Sequence, residues 1–133
     1  MTAKASEVTM RTPLKRVRYL GSAKEGTDHF WRQRVTGVAS LILTPLMIAL
    51  AIGLIGADYA TVRQTLGHPL VATMVILFVA TNVMHMRIGM QVIIEDYVHG
   101  EGAKITLLML NTFFSFAVGA VCVFAVLRLS FGA

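Results

Sequence analysis

Three long stretches of this sequence are almost entirely apolar, and no other feature restricts its fold so strongly. They run from about Val35 to Ile55, from Pro69 to Ile94 and from Ile105 to Leu127. A helix of about 20 residues rises about 30 Å, which is the thickness of the hydrocarbon core of a bilayer. Only 14% of the 133 residues are charged, against about 25% in an average soluble domain. The sequence therefore predicts an all-α integral membrane protein with three transmembrane helices.

The remaining segments are short and divide the chain into three parts. We assign residues 1–34 to a basic N-terminal segment, 35–127 to the transmembrane domain and 128–133 to a short tail. A polar loop is expected from Asp58 to His68, between the first two spans. These connections leave no room for a separate soluble catalytic domain.

The formal net charge of +5 comes largely from the segment before the first span. Lysine and arginine beside a membrane helix are retained in the cytoplasm, so we interpret the charge as a topology signal rather than a nucleic-acid site. Eight of the twelve basic residues lie there: Lys4, Arg11, Lys15, Arg16, Arg18, Lys24, Arg32 and Arg34. We expect a cytoplasmic N-terminus in a bacterial inner membrane, with the mitochondrial inner membrane as the alternative.

The second span differs from the others because it contains His85, and an ionisable residue within a span usually marks a functional site. His85 lies about nine residues before the polar end of its helix, roughly 14 Å deep. Haem iron is commonly held by histidine, and Gly89 on the same face would admit a flat macrocycle or another helix. A histidine hydrogen-bonded to a neighbouring helix is the alternative. No other histidine suits the same iron, so a bis-histidine haem would need a partner subunit.

Polar residues at the ends of the spans have two interpretations each. The Tyr97 phenol could donate to a quinone carbonyl with Asp96 orienting it or relaying protons, or the pair could be an interfacial anchor and a solvated acid. Arg34 could pair with haem propionates or lipid phosphates, or extend to the interface. Arg87 lies on a different face from His85, and its role stays open.

The run from His85 to Val98, His-Met-Arg-Ile-Gly-Met-Gln-Val-Ile-Ile-Glu-Asp-Tyr-Val, resembles the signature of the D-type membrane anchor of succinate dehydrogenase. That pattern is a histidine, an Ile-Gly pair close behind it, and Asp-Tyr at the end of the second helix. The similarity includes Arg-Val-Thr-Gly at residues 34–37 and extends from about Phe30 to Leu127.

The resemblance implies a complex of four subunits that transfers electrons from succinate to quinone. A flavoprotein and an iron–sulfur protein form the part that oxidises succinate, and two anchors bind haem b and reduce ubiquinone. His85 would be one axial haem ligand, the second coming from the C-type anchor. Tyr97 and Asp96 would lie at the quinone, and Arg34 in the region of the haem propionates or the quinone.

Three other functions fit parts of the pattern. A structural or assembly membrane protein would bind no cofactor, and an anchor of fumarate reductase would share most of the features described. A small transporter would need a polar stripe through the bundle, and the first and third spans offer none.

The charge distribution predicts that the N-terminus and the Glu95–Lys104 loop are both cytoplasmic. Reporter fusions at Gly100 should therefore report a cytoplasmic location. Matched fusions at Gly56, after the first span, should report the opposite side. A non-cytoplasmic signal at Gly100 would overturn this topology.

Overall fold

The computed structural model describes residues 25–131, and every regular element in that part of the chain is an α-helix. The helices are α1 (Glu25–Gly53), α2 (Tyr59–Gly67), α3 (Pro69–Tyr97) and α4 (Glu101–Phe131). By length and composition, α1, α3 and α4 can each cross a membrane. The predicted all-α membrane fold with three spans is confirmed. Residues 1–24 of the predicted N-terminal segment lie outside the described residues.

The long helices extend beyond the apolar stretches that predict them, except that α1 ends at Gly53, two residues before Ile55. With 29 residues, α3 continues past Ile94 to Tyr97. At 1.5 Å per residue this helix is about 43 Å long, which exceeds the hydrocarbon core of about 30 Å. Its last turn, with Asp96 and Tyr97, lies beyond the apolar stretch, and we expect it in the headgroup region.

The prediction of a loop from Asp58 to His68 is wrong, because this segment contains α2. Asp58 caps the helix: its carboxylate accepts hydrogen bonds from the backbone N–H and the hydroxyl of Thr61. These bonds, the hydroxyl first, hold the pKa of Asp58 below its usual value. His68 ends α2 and also caps α3, where its Nδ1 accepts from the N–H of Leu70 at 3.3 Å. A capped nine-residue helix thus occupies most of the connection between α1 and α3.

The three spans form a row with α3 in the middle. On one side α3 packs against α1 and on the other against α4, and within residues 25–131 the two outer helices do not contact each other. Small side chains lie in the α3–α4 seam: Ser115 is 1% exposed, and a Cβ on Gly119 would lie 3.6 Å from Val83 Cγ1. Small residues at such seams let helix backbones approach closely.

Most of the surface of the row faces outward. In the most apolar stretch of each span, only 6% of the residues are buried within the chain. Thr36 and Ser115 are buried polar residues, and Ala72, Ile88 and Ile94 are the buried apolar ones. The outer faces therefore need lipid or other subunits to cover them.

Gly67 is a close contact between α2 and α4. A Cβ on Gly67 would lie 2.9 Å from the carbonyl oxygen of Leu129, so one of the two helices would have to move. We expect Gly67→Ala to lower the stability by about 1–3 kcal/mol, the usual effect of overpacking. Thermal unfolding of the purified protein in detergent should show a lower Tm.

The matched control is Gly102→Ala, because nothing lies within 4 Å of a Cβ at that position. Alanine is the better helix former, so this variant should keep or raise the Tm. A Gly67→Ala protein as stable as the parent would contradict the close packing of α2 on α4.

Candidate functional site

His85 lies near the middle of α3 and faces α1. Its Nδ1 is 3.1 Å from Oγ1 of Thr36, a residue that is 8% exposed. The next residue of α1 is Gly37, where a Cβ would lie 3.4 Å from Cε1 of the ring. The imidazole therefore packs directly on the α1 backbone, with one nitrogen on a buried hydroxyl.

An open groove of about 430 Å³ runs along the α1–α3 seam beside this histidine. Its lining residues are Gln33, Arg34, Gly37, Val38, Leu41 and His85. The second ring nitrogen, Nε2, makes no hydrogen bond within residues 25–131. One edge of His85 is thus held by α1, and its other nitrogen is available to a ligand.

The structure brings Arg34 and His85 to the same groove. The Arg34 guanidinium carbon lies 4.7 Å above the ring centroid of Phe30. A cation therefore stands in the wall of the groove, on the same helix as Thr36. Such a guanidinium can donate two parallel hydrogen bonds to a carboxylate.

Gly89 faces α1, at an ordinary van der Waals distance from one of its side chains. The side-chain nitrogen of Gln33, on α1, lies 3.7 Å from where a Cβ of Gly89 would be. Oε1 of Gln33 is buried and has no hydrogen-bond partner in the described part of the chain. The α1–α3 seam is therefore polar around His85, and the Gln33 side-chain oxygen there is a hydrogen-bond acceptor without a donor in the described residues.

Tyr97 and Asp96 lie apart from this groove, in the last turn of α3. Both are exposed, Tyr97 to 77%, and neither side chain makes a hydrogen bond or ion pair within residues 25–131. Twelve residues separate Tyr97 from His85, which is roughly 18 Å along a helix. Nearby, Lys104 Nζ donates to the carbonyl oxygen of Glu95 at 2.9 Å and joins α4 to the end of α3.

Arg87 faces α4 and not the groove. Its carbonyl oxygen accepts a hydrogen bond from Asn111 Nδ2 at 2.9 Å, and its guanidinium carbon lies 5.8 Å from the ring centroid of Phe116. Its Nε is buried without a partner in the described residues. The expected difference in face between Arg87 and His85 is therefore observed.

Sequence reasoning missed Thr36 and Gln33, which contact the His85 side of α3. Thr36 belongs to the Arg-Val-Thr-Gly run, which contributes to the resemblance to a succinate dehydrogenase anchor but does not by itself indicate a contact with His85. Among residues 25–131, no group of three or more His, Cys, Asp or Glu side chains could hold a metal ion. A metal ion bound at His85 would therefore have this one side chain as its ligand from the described residues.

The model of the succinate dehydrogenase/fumarate reductase transmembrane subunit family matches residues 8–126 of this sequence. The chain belongs to this family. The resemblance of the second span to a succinate dehydrogenase anchor is thereby confirmed, and no solved structure matches the chain.

Relatives within the family match most of the chain. A succinate dehydrogenase hydrophobic membrane anchor subunit of Paracoccus denitrificans is 35% identical, over 92% of this chain and 94% of its own length. The subunit of that name from Rickettsia bellii is 27% identical over 79% of this chain and 84% of its own. A succinate dehydrogenase membrane anchor subunit of Reclinomonas americana is 33% identical, over 65% and 75%.

Proposed function

We propose that this family member is a membrane anchor subunit of succinate dehydrogenase, in which His85 is one axial ligand of haem b and the Tyr97 end of α3 contributes to the ubiquinone site. The observation that carries the proposal is the setting of His85 in the middle of a span. One ring nitrogen contacts Thr36, and the other is free beside a groove that Arg34 also lines.

The residues around His85 fit a haem by their chemistry. Imidazole is a common axial ligand, and ligating histidines almost always bond their second nitrogen to another group, as His85 bonds Thr36. The guanidinium of Arg34 suits a propionate carboxylate. Gly37, Val38 and Leu41 give the groove the apolar wall that a porphyrin requires. When bound, the haem would supply one-electron transfer.

The second axial ligand must come from another subunit. His68 caps α3 at one end, and His99 follows its other end, so neither lies at the depth of His85. His29 lies on α1 seven residues before Thr36, roughly 10 Å away along the helix, so it is also remote from the iron that His85 would bind. In the proposed complex the partner is the C-type anchor that the resemblance implies, and it contributes its own histidine across the groove.

Tyr97 and Asp96 are suited to a quinone at the membrane surface. The exposed phenol can donate a hydrogen bond to a quinone carbonyl. Asp96 beside it can orient that phenol or pass protons, which quinone reduction consumes together with electrons. Their place in the headgroup region gives protons access from water while the apolar quinone tail stays in lipid.

The partners follow from this role. A flavoprotein oxidises succinate, an iron–sulfur subunit passes the electrons on, and the two anchors hold both to a bacterial inner membrane. With a cytoplasmic N-terminus, Tyr97 lies on the cytoplasmic side, where these water-soluble subunits dock. The outward-facing surface of all three spans supports assembly with a second anchor.

His85→Ala should abolish or alter the low-spin bis-histidine spectrum of the assembled complex, because it removes the imidazole that this chain would supply to the iron. The measurement is the reduced-minus-oxidised absorption spectrum of purified complex. His99→Ala is the matched control, since His99 lies outside the helices. An unchanged spectrum in His85→Ala would exclude His85 as a ligand. A parent complex without a b-type band would instead favour the cofactor-free structural function.

Tyr97→Phe should slow electron transfer to quinone and leave succinate oxidation by an artificial acceptor nearly intact. A lost neutral hydrogen bond costs about 0.5–1.5 kcal/mol, which is roughly a few-fold to tenfold in rate. The aromatic ring is kept, so its anchoring at the interface should survive. Quinone reductase activity at limiting quinone is the measurement.

Tyr59→Phe provides the matched control for that experiment. Tyr59 is 76% exposed, similar to Tyr97, but it begins α2 at the other end of the bundle. It should retain the parent's rate. Equal rates for Tyr97→Phe and the parent would leave Tyr97 as an interface anchor.

A further inference from the structure

We infer that Thr36 is a positioning residue for His85: its hydroxyl oxygen accepts the Nδ1 proton and so directs the Nε2 lone pair to the ligand. The inference rests on the proposed function, in which His85 binds haem iron. By this inference α3 supplies the ligand, His85, and α1 supplies the residue that positions it.

The Thr36 hydroxyl has a single proton and two carbonyl oxygens of α1 close to it. Oγ1 lies 2.7 Å from the carbonyl oxygen of Arg32 and 3.2 Å from that of Gln33. Carbonyl oxygens only accept, so the hydroxyl proton points along α1 to the nearer one, Arg32. The same Oγ1 is 3.1 Å from Nδ1 of His85. With its own proton directed to the Arg32 carbonyl, the hydroxyl can only accept from that nitrogen, and we therefore assign the imidazole proton to Nδ1.

A neutral imidazole carries only one proton. With that proton on Nδ1, Nε2 is an unprotonated donor atom, which is the form that binds a metal. Thr36 is buried, and the ring edge that includes Nδ1 and Cε1 lies against Gly37. Turning the ring would break a hydrogen bond in a medium where water cannot replace it. The tautomer and the ring orientation are thus both set before any ligand arrives.

This hydrogen bond should also affect the redox potential of the bound iron. A bond from the second ring nitrogen to an acceptor raises the basicity of the ligating nitrogen. A more basic ligand favours the ferric over the ferrous state and lowers the midpoint potential. Removing the hydroxyl should therefore raise the potential, by about 59 mV for each tenfold change in the ratio of ferric to ferrous affinity.

The experiment compares Thr36→Val, Thr36→Ala and Thr36→Ser in the purified, assembled complex. Redox titration of the haem band and the electron paramagnetic resonance spectrum of the ferric haem are the readouts. Valine replaces the hydroxyl with a methyl group of similar size, and alanine removes it without adding bulk. Serine keeps a hydroxyl. We expect a raised potential and shifted resonance values in Val and Ala, and near-parent values in Ser.

Ser40→Ala is the matched control on the same face of α1. The Ser40 hydroxyl also donates a hydrogen bond to α3, to Oδ1 of Asn82 at 3.3 Å, but it makes no hydrogen bond to His85. This variant should lose a comparable interhelical bond without a change in haem potential. A similar shift in Ser40→Ala would assign the effect to general loosening of the seam and overturn the inference.

The outcomes separate this inference from the proposed function. An unchanged potential in Thr36→Val or Thr36→Ala, combined with a lost spectrum in His85→Ala, would overturn the role of Thr36 alone. An unchanged spectrum in His85→Ala would overturn both. Failure of the Val and Ala variants to assemble, while Ser assembles, would make the hydroxyl a packing requirement and would also count against the inference.

Discussion

Polar side chains in hydrocarbon have no water to bond, and this constraint determines which face of α3 meets which neighbour. His85 and Asn82 find hydroxyl groups of α1, at Thr36 and Ser40. The carbonyl oxygen of Arg87 meets the Asn111 amide of α4 on the opposite side. Each such bond contributes about 0.6–2 kcal/mol in a membrane, so together they orient the helices that the apolar residues could not orient alone.

Small residues make these bonds possible, because a hydroxyl on one helix reaches a side chain on the next only where the backbones are close. Gly37 adjoins Thr36, and it admits the edge of the His85 ring. Ser115 and Gly119 have the same effect between α3 and α4, where Ser115 donates back to the Asn111 carbonyl at 2.7 Å. In both seams, therefore, close packing of the backbones permits the interhelical hydrogen bonds. In the α1–α3 seam one nitrogen of His85 has no partner within residues 25–131.

The spans could be predicted because hydropathy reports where lipid surrounds the chain, whereas helix ends depend on local capping. For that reason the expected end at Ile94 falls short of the observed end at Tyr97. α2 was missed because a short polar helix has little signal beyond its Asp58 cap, and it is secured by packing at Gly67. Thr36 and His85 are 49 residues apart, and their contact depends on how α1 and α3 are rotated about their axes. The spacing of residues within one helix carries no information about that rotation. His85 itself could be predicted as a candidate site residue, because a polar residue within an apolar span is easily recognised in the sequence.

The arrangement of the helices in a row also bears on how the chain is assembled in the membrane. Among the helices of residues 25–131, α1 contacts only α3, so the seam that holds His85 needs nothing from the last span. It can form as soon as the second span has been synthesised and inserted. α4 then adds to the free side of α3, and the contact of Leu129 with Gly67 fastens its far end. The groove beside His85 is lined entirely by α1 and α3, so its formation requires no residue of α4.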